Sequence, residues 1–396
     1  MHNKKLYTMS YKINPHLLFL IYCSKTKLNQ NEILFITNYL KDNKLSYQQI
    51  VQLAYKHGIF PIVYKTIKSL ASFDKELLDT SVKFRLHYFR ISKRNMLMSV
   101  ELINITRLLN HHKINTLSFK GPALSQIAYG DITLRQYADI DILIRKEDRL
   151  NMINILEKEG YIPEIVLRDS TKETFFNAVN VIAFYNKSIG IRIEIHWELL
   201  SKNYAINWDE NILWSNNRSI QINNNKIDIL SIELHLLYIC VHSAKHLYER
   251  IEWICDIDRL IKTNPNIDWI YLVKQAKEMG ITRMLYLGLA LSKELFELNI
   301  PKEIQNSINN DKKIPILINK IIKINYSDTI HQEKSINTLF LLLNMRENYI
   351  DKFKLLYKGI ITPKFDDFLF FQLPKQIAFL YPLVRIFRLI KKYSKY

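Results

Sequence analysis

Two aspartates, Asp139 and Asp141, lie inside an apolar run completed by Ile140 and residues 142–144. Such a run predicts a buried β-strand, in which residues i and i+2 project from the same face. Two neighbouring carboxylates repel each other, and a bound divalent cation removes that repulsion. Hard oxygen ligands suit Mg²⁺. The pair therefore indicates a magnesium site, although most short Asp-x-Asp pairs are solvated turn or surface residues.

A turn formed by Lys120, Gly121 and Pro122 precedes the aspartates. It follows residues 114–119, which predict a strand, and comes before residues 123–129, which predict a helix. The N-terminus of a helix offers backbone N–H groups and the positive end of its dipole to a phosphate. Lys120 adds a mobile cation. Many strand–helix turns contain glycine, so this turn gains meaning only from its position before the aspartates.

A strictly alternating segment, residues 191–198, follows downstream. Its polar side chains share one face: Arg192, Glu194, His196 and Glu198. If this strand pairs beside the strand of Asp139, Glu194 becomes a third acid near the metal. The alternative is an amphipathic edge strand whose charged face meets solvent.

These motifs occur in a recognisable order over about residues 100 to 262, and in that order the chain resembles the bacterial nucleotidyltransferase-family proteins of the DNA polymerase β superfamily. The residues that carry the resemblance are Lys-Gly-Pro-Ala-Leu at 120–124, Tyr-Gly-Asp at 129–131, Asp-Ile-Asp-Ile-Leu-Ile at 139–144, Glu-Ile-His-Trp at 194–197, and the helical segments 236–246 and 253–260.

The resemblance implies a minimal polymerase-β-type palm that uses two Mg²⁺ ions and transfers a nucleoside monophosphate from a nucleoside triphosphate (NTP). By that comparison Asp139 and Asp141 are metal ligands, Glu194 is the third catalytic and metal-binding acid, and Lys120-Gly121 is the phosphate-binding turn. The wider superfamily more often has Gly-Ser at this turn and Asp at position 194. Here the turn is Lys-Gly-Pro, and the glutamate reaches one methylene further.

The chemistry expected of such a site is phosphoryl transfer, driven by positioning and electrostatics. One ion would bridge the triphosphate and both aspartates. A second would lower the pKa of the attacking hydroxyl, or Glu194 would accept its proton as a general base. His196, on the face of Glu194, is expected to help bind the nucleotide. Arg135 is placed in sequence to contact phosphate, with a surface ion pair as the alternative.

Residues 242–246 read His-Ser-Ala-Lys-His, with histidines at i and i+4 of a predicted helix. Ser243 replaces the glutamate that a zinc protease needs after its first histidine. We expect His242, Lys245 and His246 to line the nucleotide cleft; a polar stripe packed on neighbouring helices is the alternative. Further on, Asp256 is expected to pair with Lys245 or His246, and Asp258 to be solvated.

The composition indicates a globular chain of 396 residues with a net charge of +18. That charge favours a phosphate-bearing partner without distinguishing a nucleotide, a nucleic acid or an anionic membrane. Three sparse cysteines suggest reduced thiols in a cytoplasmic protein. No apolar run approaches the ~20 residues that span a bilayer.

The periodicity predicts an α+β fold in which a small mixed-sheet core lies between two helical regions. We expect an N-terminal helical region at 1–110, a nucleotidyltransferase core at 111–230 and a C-terminal helical domain at 231–396. Strands are predicted at 114–119, 138–144, 181–186 and 191–197, with a further one within 219–230. In the last region, helix breaks are predicted at 264–266, Gly280, 299–301 and around Pro315.

The final segment, 368–396, is both apolar and basic. It is expected to dock on the helical domain, with weak contact to an anionic membrane surface as the alternative. The function predicted overall is magnesium-dependent transfer from an NTP to a hydroxyl on an unidentified acceptor: a small molecule, a protein or an RNA. The competing hypotheses are a non-catalytic nucleotide- or nucleic-acid-binding scaffold and a toxin-type enzyme acting on RNA ends.

Overall fold

The computed structural model describes residues 13–42, 46–72, 74–327 and 334–393. The remaining parts of the predicted N-terminal and C-terminal helical regions lie outside the described residues. The chain folds into two compact units. The first comprises Met1–Ser99, Gly121–Tyr137 and Ile232–Arg346, and the second comprises Val100–Lys120, Ala138–Ser231 and Glu347–Tyr396. The division into regions 1–110, 111–230 and 231–396 stays a prediction.

Helices dominate the first unit and also flank the sheet segments of the second. In chain order they are α1 (Pro15–Cys23), α2 (Gln30–Asp42), α3 (Tyr47–Lys56), α4 (Phe60–Leu70), α5 (Lys75–His111), α6 (Gly121–Tyr129), α7 (Arg149–Lys158), α8 (Asp169–Ala178), α9 (Glu210–Ser215), α10 (Ile232–Lys245), α11 (Ile251–Thr263), α12 (Trp269–Glu278), α13 (Thr282–Phe296), α14 (Lys302–Asn310), α15 (Lys313–Tyr326), α16 (Lys334–Asn344), α17 (Tyr349–Ile361), α18 (Phe365–Phe370) and α19 (Tyr381–Tyr393).

The predicted helix breaks at 264–266, Gly280 and 299–301 all fall between helices. The break predicted around Pro315 is confirmed, because α14 ends at Asn310 and α15 begins at Lys313, with Pro315 in its first turn. The N–H groups of a first turn have no intrahelical acceptor, so proline costs nothing there. Within the described residues no helix is both long and apolar enough to cross a membrane.

Seven strands of the second unit form one mixed sheet in the order β3-β4-β5-β2-β1-β7-β6. The pairs β2–β5 and β1–β7 are parallel and the other neighbours are antiparallel. The mixed α+β fold predicted from the sequence is therefore confirmed. The strands are β1 (Leu117–Ser118), β2 (Asp139–Leu143), β3 (Ile162–Pro163), β4 (Val181–Asn186), β5 (Ile191–His196), β6 (Arg218–Ile222) and β7 (Asn225–Ile229).

The stretch 219–230, predicted as one strand, is a hairpin of β6 and β7. Its turn is formed by Asn223 and Asn224, whose φ angles are 47° and 61°. Asparagine tolerates this left-handed region better than most residues, and two successive positive φ values suit a tight hairpin turn.

Burial sets the register of the two central strands. Ile140 and Ile142 of β2 and Ile193 and Ile195 of β5 are fully buried. A slip of one residue would turn these side chains toward the opposite face and carry the carboxylates into the core. The alternation therefore holds the polar residues of both strands on one common face.

Candidate active site

The parallel pairing of β2 with β5 brings the predicted acids together. Asp139 lies opposite Arg192, Asp141 opposite Glu194, and Leu143 opposite His196. Nε2 of His196 is 3.1 Å from Oδ1 of Asp141 and 3.3 Å from Oε2 of Glu194. Asp141, Glu194 and His196 each place one ligand atom within 4.8 Å of the others. We call these three residues the carboxylate–histidine cluster.

Lys120 reaches the cluster from the turn after β1. Because β1 runs antiparallel beside β2, with Ser118 opposite Ile142, the chain after β1 returns toward Asp141. Nζ of Lys120 lies 2.8 Å from Oδ1 of Asp141. The lysine expected to be a mobile cation is thus ion-paired. Gly121 follows with a φ of 51°, a left-handed conformation that favours glycine at this position.

Two further charged residues border the cluster. Arg192 contacts Glu194, lies 3.6 Å from Oδ2 of Asp139, and pairs with Oε2 of Glu164 at 3.1 Å. Neither Arg192 nor Glu164 was predicted from the sequence as a site residue. The alternation of β5 already placed Arg192 on the correct face, whereas nothing in the sequence marks Glu164, which follows the two-residue strand β3.

The charges of this face shift the pKa values of its members. Burial, followed by the charges of Asp141 and Glu194, raises the pKa of Asp139 to about 6. Burial also acts to raise the pKa of Asp141, but Lys120 and His196 outweigh it and the net shift is downward. For His196, burial acts to lower the pKa, and the hydrogen bonds to both acids produce a net increase. Nearby positive charges therefore decide whether these carboxyl groups are ionised.

The cluster fits a divalent cation. Oδ2 of Asp141 is buried and has no hydrogen-bond partner among the described residues. An unsatisfied buried carboxylate oxygen is costly, and a bound cation would satisfy it. Adjacent ligands of an octahedral ion with bonds of about 2.1 Å lie about 3.0 Å apart, and the two separations from Nε2 of His196 to the acids are 3.1 and 3.3 Å. Asp139 is not part of the cluster, so its role as a ligand stays a prediction.

Arg135 belongs to the first unit and lies in a buried ion-pair network. Its Nε is 3.0 Å from Oδ1 of Asp256, and its Nη2 is 2.7 Å from Oε1 of Glu252. The hydroxyl of Tyr129 donates a hydrogen bond to the same Asp256 oxygen at 2.7 Å. The surface ion pair considered for Arg135 is wrong, since the residue is 6% exposed. Two carboxylates enclose the guanidinium, and the phosphate contact of Arg135 stays a prediction.

The two aspartates of α11 also differ from expectation. Asp256 pairs with Arg135 rather than with Lys245 or His246. Asp258 is 1% exposed rather than solvated. Its Oδ1 lies 2.8 Å from Nζ of Lys262, one helical turn further along.

His242, Lys245 and His246 lie at the end of α10 in the first unit. The rings of His242 and His246 are 4.9 Å apart, and both contact Trp253, at 5.4 and 5.3 Å between centroids. Their predicted place in the nucleotide cleft stays a prediction.

Two solved structures show distant likeness to this chain. A nucleotidyltransferase-like antigenic protein from Paracoccidioides brasiliensis is 16% identical, with 52% of this chain and 93% of that chain covered and a TM-score of 0.30. A STING-associated CdnE c-di-GMP synthase from Capnocytophaga granulosa is 15% identical, with 87% and 99% covered and a TM-score of 0.28. Both structures are too distant from this chain to support a functional assignment. No curated protein matches the sequence.

A family model described as "Uncharacterised nucleotidyltransferase" matches residues 43–297. This range is well over half of the chain, and it includes the whole carboxylate–histidine cluster, Lys120 and both aspartates of β2. The family predicted from the sequence motifs is confirmed. The chain belongs to this family of uncharacterised nucleotidyltransferases.

Proposed function

We propose that this protein transfers a nucleoside monophosphate from an NTP to a hydroxyl group of an acceptor, with Mg²⁺ as the metal. The observation that supports this reaction best is the carboxylate–histidine cluster, in which one oxygen of Asp141 is buried without a hydrogen-bond partner among the described residues. A structural ion pair would be expected to satisfy both oxygens of a buried carboxylate.

Asp141, Glu194 and His196 would hold the cation. Asp139, two residues before Asp141 on the same face of β2, would complete the site. The bound cation supplies charge neutralisation on the triphosphate and a lowered pKa for the acceptor hydroxyl. Lys120 orients Asp141 through their ion pair and would bring its positive charge near a phosphate. The place of Gly121, which begins α6 of the first unit, in a phosphate-binding turn stays a prediction.

The reaction exchanges one phosphorus–oxygen bond for another. The acceptor oxygen forms a bond to the α-phosphorus, while the bond from that phosphorus to the bridging oxygen of the β-phosphate breaks and pyrophosphate leaves. The acceptor proton, whose pKa the cation would lower, passes to bulk water; the alternative is that Glu194, with 18% of its side chain exposed, accepts it as general base instead of holding the cation. Arg192 holds the Glu194 carboxylate in position.

The test is to incubate the full-length protein with each α-labelled NTP, Mg²⁺ and cell extract, and then to identify the labelled product. We expect labelling that Asp141→Asn and Glu194→Gln abolish. Asp228→Asn, which changes a half-buried acid of β7 in the same sheet, serves as the matched control and should label normally. Equal labelling by the parent and Asp141→Asn would place the chemistry elsewhere.

A further inference from the structure

The end of the chain exposes an unusual amount of apolar surface. Half of the large hydrophobic side chains that the structure shows exposed lie within residues 349–390 of the second unit. We call this part, which contains α17, α18 and α19, the C-terminal helical segment. Buried Phe368, Leu373 and Tyr381 attach it to its unit. Large apolar side chains exposed in such numbers within one segment often mark an interaction surface.

The apolar stripe of α17 faces outward. Tyr349, Phe353, Tyr357 and Ile360 recur at helical spacing and are 86%, 68%, 53% and 67% exposed. At about 100° per residue these four side chains fall on one side of the helix, and Leu355, which is 7% exposed, falls on the opposite side. A surface helix of a soluble protein normally turns its apolar stripe toward the core. In α17 the orientation is reversed.

Lysines border this stripe. Lys352 and Lys354 lie about 100° to either side of Phe353 on the helix, and Lys358 lies beyond Lys354. None of the three forms an ion pair with an acid among the described residues of the segment. Long lysine stems can extend along an apolar layer while their ammonium groups reach a charged boundary.

The apolar face of α19 is also exposed instead of packed against the core. Leu383, Ile386, Phe387 and Ile390 are 51%, 53%, 65% and 60% exposed, at the spacing of one helical face. The helix is held from its other side by polar contacts to Asp367, which is fully buried.

These contacts come from two arginines. Nη2 of Arg385 and Nε of Arg388 lie 3.0 and 2.9 Å from the oxygens of Asp367. Arg385 also donates to the carbonyl of Gly359 at the end of α17, at 2.9 Å. Asp366 and Asp367 are thus paired with the arginines of α19, and lysine supplies the positive charge beside the exposed stripe of α17.

We propose that the C-terminal helical segment docks on an anionic membrane surface, with α17 lying along the interface. Protein interfaces favour arginine and are depleted in lysine, which is the opposite of the distribution found here. Aliphatic and aromatic residues bordered by lysine suit the boundary between acyl chains and anionic headgroups. A second copy of the chain would bring the lysine borders of two α17 helices together, and their charges would repel. At 13 residues α17 can lie on a bilayer but cannot span it.

The test is flotation of the full-length protein with vesicles of phosphatidylcholine alone and with an equimolar mixture of phosphatidylcholine and phosphatidylglycerol. We expect flotation only with the anionic mixture, and weaker binding as salt is raised. The double change Phe353→Ser and Phe387→Ser should remove binding. Each of Lys352→Gln, Lys354→Gln and Lys358→Gln should weaken it roughly fivefold.

Ile270→Ser is the matched control, because Ile270 is 86% exposed on the first unit and should have no effect. The lysine variants remove charges that form no ion pair with an acid among the described residues of the segment, so their result does not depend on refolding of the apolar variant. Absence of flotation, equal flotation with both vesicle types, or flotation that the Phe353 and Phe387 changes leave intact would each overturn the proposal. So would a dimer in gel filtration that the same double change converts to a monomer.

Discussion

Lys120 and Asp141 form an ion pair, with 2.8 Å between Nζ and Oδ1, in which the carboxylate is fully buried and one fifth of the lysine side chain is exposed. The other oxygen of the same carboxylate, Oδ2, is the one that a cation would satisfy. Removal of one partner from a buried pair leaves an uncompensated charge.

Lys120→Met should therefore lower the free energy of unfolding of the metal-free protein by about 3 kcal/mol. Added Mg²⁺ should restore part of this loss, since a bound cation takes over the role of the ammonium group. Thermal unfolding with and without Mg²⁺ measures both effects. Lys262→Met is the control: it breaks the comparable pair with Asp258, and Mg²⁺ should not rescue it. Equal rescue of both variants would contradict a specific site.

His196→Gln tests whether the imidazole is a ligand. A nitrogen donor increases affinity for Mn²⁺ relative to Mg²⁺. We expect the variant to bind Mn²⁺ roughly 10- to 100-fold more weakly, with a smaller change for Mg²⁺. Titration followed by electron paramagnetic resonance measures free Mn²⁺ directly. His112→Gln, on an exposed residue, should bind like the parent; an unchanged Mn²⁺ affinity in His196→Gln would exclude the histidine from the metal site.

Arg135→Met separates a structural from a phosphate-binding role. Because Asp256 and Glu252 would remain buried without their cation, we expect the free energy of unfolding to fall by about 3–5 kcal/mol. Replacing Asp256 by leucine in the same chain should recover part of the loss. NTP affinity of the folded protein should stay unchanged. Normal stability combined with lost NTP binding would instead support the phosphate contact predicted from the sequence.

His57 should make stability fall in acid. Burial, followed by the charges of Lys56 and Arg250, lowers the pKa of His57 to about 4, and both ring nitrogens lack hydrogen-bond partners among the described residues. The unfolded chain, with an ordinary pKa near 6.5, binds the proton more readily. Above pH 6.5 His57 is neutral in both states and does not reduce the free energy of unfolding. As the pH falls from 6.5 toward 4, protonation of the unfolded chain lowers this free energy by roughly 3 kcal/mol.

Denaturant unfolding of the parent and His57→Leu at several pH values measures this effect. The variant should lose less stability than the parent over the same interval, since it has no imidazole to protonate. His112→Leu, on an exposed residue, should follow the parent. Parallel curves for the parent and His57→Leu would show that other groups dominate acid unfolding.

The sequence alone determined which side chains share a face. Alternation placed Asp139 with Asp141 and Glu194 with His196, because a strand turns successive residues to opposite sides. The same local rule, with the helical period, located most helices and their breaks. The family was recognisable from motifs of this kind, since each motif lies within one turn or one strand.

The tertiary structure decided which faces meet. The placement of β2 beside β5 in parallel register put Asp141 next to Glu194, and no local pattern in either segment specifies that pairing. The partner of Arg135 is Asp256, in a helix far along the chain. The sequence also does not show that the apolar stripe of α17 faces outward, because periodicity identifies an apolar face but not the surface that it packs against. Contacts between distant segments depend on how the whole chain packs, and spacing within one segment carries no information about that packing.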